Sequence, residues 1–183
     1  MKQDINKIIK ILKSGGMGVM PTDTLYGLVG SALSKKTVER IYKIKGRNEK
    51  KPLIILISGF EDFVSFGLNI SKFVWPEKTS IIFSCPKTKL KKFLYLHRGT
   101  GDLAFRLPAK KSLIEILKKT GPLVVPSVNP EGLPPAKNIK EAQKYFGEKM
   151  DFYLDSGTLK SEPSTLIRVN KSGEIEVLRG ILK

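Results

Sequence analysis

The sequence predicts an α/β fold of the α+β type: one domain spanning residues 1–183, with helices flanking a twisted sheet of parallel and antiparallel strands. Two observations carry this. Segments with helical spacing of apolar residues interleave irregularly with short, continuously apolar runs of strand length. The last strand segments follow one another with no helix between them, which argues against a purely parallel, doubly wound sheet. A chain of 183 residues also has room for a real core, and no repeat, low-complexity linker or shift in composition marks a second domain.

Ile5, Ile8, Ile9 and Leu12 share one helix face, and Gly15-Gly16 stop that helix. The apolar stretch Met17 to Met20 runs into Pro21-Thr22-Asp23-Thr24-Leu25-Tyr26-Gly27-Leu28. Ser34 caps a second helix with Val38, Ile41 and Tyr42 on one face, ending near Gly46. Leu53 to Ile57 is apolar throughout, as expected for a strand buried on both faces. Short helices are expected at Glu61 to Phe66 and Ser71 to Trp75, then strands at Ser80 to Phe83 and Leu103 to Leu107. A helix over Ser112 to Lys119 precedes a buried strand, Leu123 to Val125, and Asn138 caps a helix over Ile139 to Phe146. Strands at Phe152 to Leu154, Thr165 to Val169 and Glu174 to Leu178 complete the set, with a hairpin turn at Asn170 to Gly173 joining the last two.

Hydrophobic and charged residues make up 40% and 27% of the chain, ordinary for a globular protein. The charge balance is not ordinary: 33 Lys and Arg against 17 Asp and Glu give a formal +16, which attracts polyanions. Nucleic acid, nucleoside triphosphate and anionic membrane all satisfy that, and a run such as Lys87 to Lys92 reads equally well as a solvated surface. Cys85 is the single cysteine and His97 the single histidine, so an intramolecular disulfide is excluded and a His/Cys zinc cluster disfavoured. No apolar run approaches the roughly 20 residues of a membrane span, and the lysine-interrupted start lacks a signal-peptide pattern. A cytoplasmic location is expected.

Four polar clusters fall at predicted strand or helix ends, where loops commonly build sites. Pro21 to Leu28 offers two threonine hydroxyls, an acid and a Tyr-Gly turn; capping and turn roles fit it too. Lys45-Gly46-Arg47 with Lys51 places three cations near a helix end, suited either to a triphosphate or to the helix dipole. Ser127 and Asn129 lie two residues apart after a buried strand, where both can face a phosphate or simply form a turn. Ser164-Thr165 and Arg179-Gly180 form the fourth, joined by Arg106 inside an apolar strand. That arginine needs an anionic ligand or an internal carboxylate, because burial without a partner is very costly. No phosphate-loop, GxGxxG, GxSxG or HExxH pattern is present.

In order, PTDTLYGL, KGR with KP, LAFRLP, PSVN, PSTLIRV and LRG resemble the motifs of the YrdC-like family of threonylcarbamoyl-AMP synthases. The matches span residues 19 to 180, and the ordered set is far more specific than any one member. The resemblance implies a twisted mixed sheet around a basic groove. It implies a nucleotidyltransferase that joins L-threonine, bicarbonate and ATP, with Mg²⁺, into threonylcarbamoyl-AMP and pyrophosphate; a partner system then modifies adenosine 37 of certain tRNAs. By the same resemblance Arg47, Lys51, Ser127, Asn129 and Arg179 bind ATP, while Thr24, Arg106 and Ser164 hold threonine. Lys45 adds positive field at the phosphates, Lys45 and Arg47 are the catalytic pair, and no dedicated metal ligand is identified.

Three departures stand out. Leu56 occupies a place where many relatives carry histidine, and Trp75-Pro76-Glu77-Lys78-Thr79-Ser80 replaces a Trp-Pro-Gly-Pro-x-Thr segment. No second domain of the kind found in longer relatives is expected after Arg179. Two other readings remain open: a non-catalytic YrdC-like protein that binds tRNA or rRNA, and a carbamoyl-adenylate-forming enzyme with another acceptor.

Overall fold

A computed structural model describes residues 4–169 and 174–181 of the chain. Helix α1 (Ile5–Lys13) starts where the Asp4 carboxylate accepts the Asn6 and Lys7 amides, and it buries Ile8, Ile9 and Leu12. Strands β1 (Met17–Pro21) and β2 (Tyr26–Ser31) follow as an antiparallel pair. Helix α2 (Lys35–Lys45) is capped by Ser34 and stopped by left-handed Gly46. Next come β3 (Ile54–Leu56), a 3₁₀ segment over Phe60–Phe66, β4 (Thr79–Ser84), α3 (Leu94–His97) and β5 (Asp102–Arg106). The chain continues through α4 (Lys111–Thr120), β6 (Leu123–Val124), α5 (Ile139–Phe146), β7 (Phe152–Tyr153), β8 (Thr165–Val169) and β9 (Ile175–Arg179).

All nine strands join one sheet in the order β7-β1-β2-β6-β3-β5-β4-β8-β9. Pairings β1–β7, β3–β5 and β4–β8 are parallel and the other five antiparallel, so the sheet is mixed, as expected. Strand alternation splits the core in two. Ile55, Phe105 and Val124 face one side, packing with Val38, Ile41 and Tyr42 of α2 and with Ala142 and Phe146 of α5. Leu56 and Leu123 face the other, against Ile8, Ile9 and Leu12 of α1 and Leu113, Ile116 and Leu117 of α4. Leu56 is therefore a core residue beneath α1 and α4.

Ser71 to Trp75 does not form the expected helix; it runs without regular structure into Pro76. Proline disfavours the helical conformation at the residue before it, and Phe73 and Val74 stay exposed, so no buried face rewards winding. Trp75 instead folds back, its indole N–H donating to the Thr79 carbonyl at 2.9 Å. That tight turn places Lys78 at φ 49°, the left-handed region. A non-glycine residue there costs roughly 1–2 kcal/mol, part of which glycine would return as chain entropy. Lys78→Gly should therefore raise stability by up to about 1 kcal/mol, read as a higher urea midpoint at unchanged slope; a lower midpoint would contradict the strain. The expected hairpin turn at 170–173 lies outside the described residues. The short helix α3 was not anticipated, because its four residues are too few to show a period.

Candidate active site

Sheet register builds the floor of the site. Ile54 lies beside Ala104, Ala104 beside Ile82, and Ile82 beside Arg168, giving one row across β3, β5, β4 and β8. All four line a cavity of about 330 Å³, at the lower end of the range for small-molecule sites. Their neighbours Ile55, Phe105, Ile81 and Ile167 are buried on the opposite face.

Two residues along β5 from Ala104, Arg106 returns to the cavity face with its side chain only 5% exposed. It pairs with Asp23 and donates to the Thr24 hydroxyl at 2.9 Å, while its Nε has no hydrogen-bond partner among the described residues. Of the two partners open to a buried arginine, the internal carboxylate is the one present. The turn holding Asp23 is tied to itself: the Thr22 hydroxyl accepts the Thr24 amide at 3.1 Å and donates to the Leu25 carbonyl at 2.7 Å. Asp23 stood inside the motif PTDTLYGL without a role assigned to it.

Gly46 sends Lys45 and Arg47 to different places. Arg47 lines the cavity, fixed by Nε to the Lys51 carbonyl at 3.0 Å and Nη2 to the Pro52 carbonyl at 3.2 Å. Lys45 lies behind the cavity wall, 2% exposed. Its ammonium donates to the Ser127 carbonyl (2.8 Å), the Asn129 carbonyl (2.6 Å) and Asn129 Oδ1 (2.8 Å), which uses all three of its protons. Burial and then the Arg47 charge bring its pKa down to about 8, with Glu131 opposing. Lys51 turns outward to Glu131 at 2.7 Å and holds that carboxylate below its usual range by the hydrogen bond; Lys51 does not line the cavity.

The Ser127-Val128-Asn129 segment is therefore clamped from behind. The Ser127 hydroxyl, on the cavity wall, donates to Asn129 Oδ1 at 2.7 Å. The Asn129 amide nitrogen donates to the Pro130 and Leu133 carbonyls, so Asn129 faces inward and does not line the cavity. Gly27 bridges to Ser127 from β2, and a Cβ there would sit 2.4 Å from Val125 Cγ2. Only glycine permits that approach.

The far wall comes from β8 and β9. Arg179 donates through Nε and Nη2 to the Ser164 carbonyl at 3.1 and 3.0 Å, and Ser164 Oγ lies 3.0 Å from Ser80 Oγ. Although Arg179 sits on an exposed edge strand, its guanidinium turns inward. Burial, then the like charges of Arg106 and Arg47, pull its pKa below the usual arginine value. An anion placed among these three guanidiniums relieves that repulsion. Arg168 completes the rim, paired with Asp102 at 3.0 Å and Glu176 at 3.3 Å. Its signal was present in the sequence, a charged residue two places from Leu166 on the same strand face. Tyr26 was also missed as a brace: its hydroxyl donates to the Gly157 carbonyl at 2.7 Å and accepts the Ser156 amide at 2.9 Å.

Of the nine predicted site residues, then, Thr24, Arg47, Arg106, Ser127, Ser164 and Arg179 share one cavity, and Lys45, Lys51 and Asn129 stand behind or beside it. The protein is thus an α/β domain whose mixed sheet carries a concave cavity lined by arginines and hydroxyls. The chain belongs to the Sua5/YciO/YrdC family, whose profile, described as "Telomere recombination", matches residues 10–180. It is 28% identical over 180 residues to a threonylcarbamoyl-AMP synthase of Coxiella burnetii, covering 94% of this chain and 96% of that one. A threonylcarbamoyl-AMP synthase of Stutzerimonas stutzeri is 26% identical, with 93% and 95% covered. Among solved structures, Pyrococcus abyssi Sua5 complexed with L-threonine superposes with a TM-score of 0.84 at 25% identity, over 98% of this chain. This chain spans about half of that one, 54% of its length.

Proposed function

We propose that this chain is an L-threonylcarbamoyladenylate synthase. It would convert L-threonine, bicarbonate and ATP to threonylcarbamoyl-AMP and pyrophosphate, for transfer to adenosine 37 of tRNA by a separate machinery in the cytoplasm. The observation that carries this reading is the convergence of Arg47, Arg106 and Arg179 with the hydroxyls of Thr24, Ser127 and Ser164 on one cavity. Among the described residues no helix is long and apolar enough to cross a membrane.

Threonine's amine and bicarbonate combine with loss of water to a carbamate. A carbamate oxygen then bonds to the α-phosphorus as the bond to the β-phosphate oxygen breaks, and the electron pair leaves with pyrophosphate. Thr24, Arg106 and Ser164 hold the amino acid, with Ser164 adjoining Arg179 at the boundary with the nucleotide. Arg47, Arg179 and the Ser127 hydroxyl face the phosphates, where fixed donors stabilise the charge that builds up in the transition state. Lys45, its protons all committed, acts as a positioning residue for Ser127 and Asn129, and Lys51 acts through Glu131. Among the described residues no side chain lining the cavity is placed as a general base, so rate comes from positioning and charge stabilisation.

The cavity's carboxylates do not fit a resident Mg²⁺. Asp23 and Asp102 are each engaged by an arginine, and no group of three candidate ligands occurs among the described residues. Mg²⁺ would arrive with the ATP phosphates, as is usual for nucleotide sites, and no step is assigned to it.

The test is pyrophosphate release with ATP, Mg²⁺ and bicarbonate, with and without L-threonine. Release should require threonine, and Arg179→Ala should lower kcat/KM by about 100-fold or more, the scale of losing one charge-stabilising donor. Release equally fast without threonine, or turnover with carbamoyl phosphate alone, would overturn the assignment. ATP binding with no release would favour a non-catalytic role.

A further inference from the structure

The cavity accounts for only part of the +16 charge. A second depression, of about 380 Å³, lies where α2 meets the segment 87–98, and it shares no lining residue with the first. Helix α2 covers the sheet face opposite the row Ile54–Ala104–Ile82, so the two sites look away from each other. Lys35, Lys50, Lys91, Lys92 and Arg98 line this depression, against only Glu39 and Glu49. Arg98 already neutralises Glu39 at 2.9 Å, whereas among the described residues none of the four lysines forms an ion pair.

These lysines are carried on a fixed frame. Arg98 stacks on the Tyr42 ring at 3.8 Å, with its side chain 10% exposed. Phe93, between the adjacent Lys91-Lys92 and α3, is fully buried against Phe66. His97 donates from Nε2 to the Leu90 carbonyl at 2.9 Å and accepts the Gly99 and Gly101 amides at Nδ1, which pins both ends of the lysine-bearing turn. These contacts hold the backbone in place, and the Lys92 ammonium rests 5.2 Å from the Phe93 ring centroid.

We propose that this face docks the phosphate backbone of a structured RNA, away from the adenylate-forming cavity and independently of that chemistry. Lysines grouped around a concavity, with no carboxylate partner among the described residues, suit a row of phosphates, each contact releasing counterions. The surface lacks base-reading devices. Tyr95, the aromatic residue lining the depression, is 8% exposed and its hydroxyl is engaged by the Ala32 carbonyl, so no ring is free to stack on a base. A membrane is the poorer fit, because Leu94 is the only large apolar side chain lining the depression and stable surface binding needs a broad apolar face.

The experiment titrates the full chain with a folded, unmodified tRNA transcript at several salt concentrations. It compares wild type with the combined variant Lys35→Ala/Lys50→Ala/Lys91→Ala/Lys92→Ala. A second variant, Lys7→Ala/Lys10→Ala/Lys13→Ala/Lys119→Ala, removes equal charge from α1 and α4. The first should bind about tenfold or more weakly, with its log–log salt slope reduced by about three; the second should stay within about twofold of wild type. Both variants should release pyrophosphate at the wild-type rate, so failure of the synthase reading and failure of this one are separable. Equal losses in the two variants, an unchanged first variant, or lost binding only to phosphatidylserine vesicles would each overturn the proposal.

Discussion

Arg106→Ala is expected to abolish threonine-dependent pyrophosphate release and to destabilise the protein by about 3–5 kcal/mol, the usual cost of stranding one member of a buried ion pair. Asp23 and Arg106 have side chains only 8% and 5% exposed, so the truncated variant leaves a carboxylate with almost no water and no counter-charge. The two losses have different causes. Stability should return largely in Arg106→Ala/Asp23→Asn, which removes the stranded charge, whereas activity should not, because the cation proposed to meet the amino acid's carboxylate is still missing. Urea midpoints and initial rates on the two variants separate these effects. A single variant that kept threonine-dependent turnover would remove Arg106 from the substrate site. A double variant no more stable than the single would mean that Asp23 finds another partner.

Lys45→Met should act on the site without touching a substrate. It strips a proton donor from the Ser127 carbonyl, the Asn129 carbonyl and Asn129 Oδ1. Buried acceptors left unmet cost about 2–4 kcal/mol in such a cluster. The Ser127 wall should loosen, raising KM for ATP by about tenfold or more, the equivalent of losing one charge-assisted bond. The pH dependence gives a sharper readout. In the folded protein the Lys45 pKa is about 8 against an ordinary 10.5, so between those values the unfolded chain binds more protons. Stability from this group therefore rises as pH rises through that window. The stability gap between wild type and Lys45→Met should widen from pH 8 towards pH 10. A gap that narrows would show that the ammonium's three bonds outweigh its desolvation.

Which parts of this were legible in the sequence follows from the kind of signal each carries. The caps Ser34 and Asn138 and the stop at Gly46 are local chemistry, and the structure uses them as written. The doubly buried run around Ile55 shows itself by lacking polar residues. Ser71 to Trp75 misled because its apolar residues pack with distant rings, Phe73 and Trp75 against Phe60, where helical spacing has no meaning. At the cavity, ordered motifs identified the residues but not the directions in which they point. Lys45 and Arg47 differ by one glycine in the chain, and by a whole wall in space. Whether a cation meets a ligand or a carbonyl depends on contacts made more than eighty residues away, such as that of Lys45 with Asn129, and no local pattern encodes those.

The sheet order has a last consequence for local opening at the site. Arg179 projects from β9, the outermost strand, all five of whose residues are exposed, while Arg106 projects from β5 in the buried interior. Resistance to local opening follows burial, so the protein carries a stability gradient running from the Arg106 side of the cavity to the Arg179 wall. Among the described residues the strand bearing Arg179 pairs with β8 alone, so it should open before β3 and β5 do. Local opening should therefore begin at the Arg179 wall and leave the Arg106 side in shape.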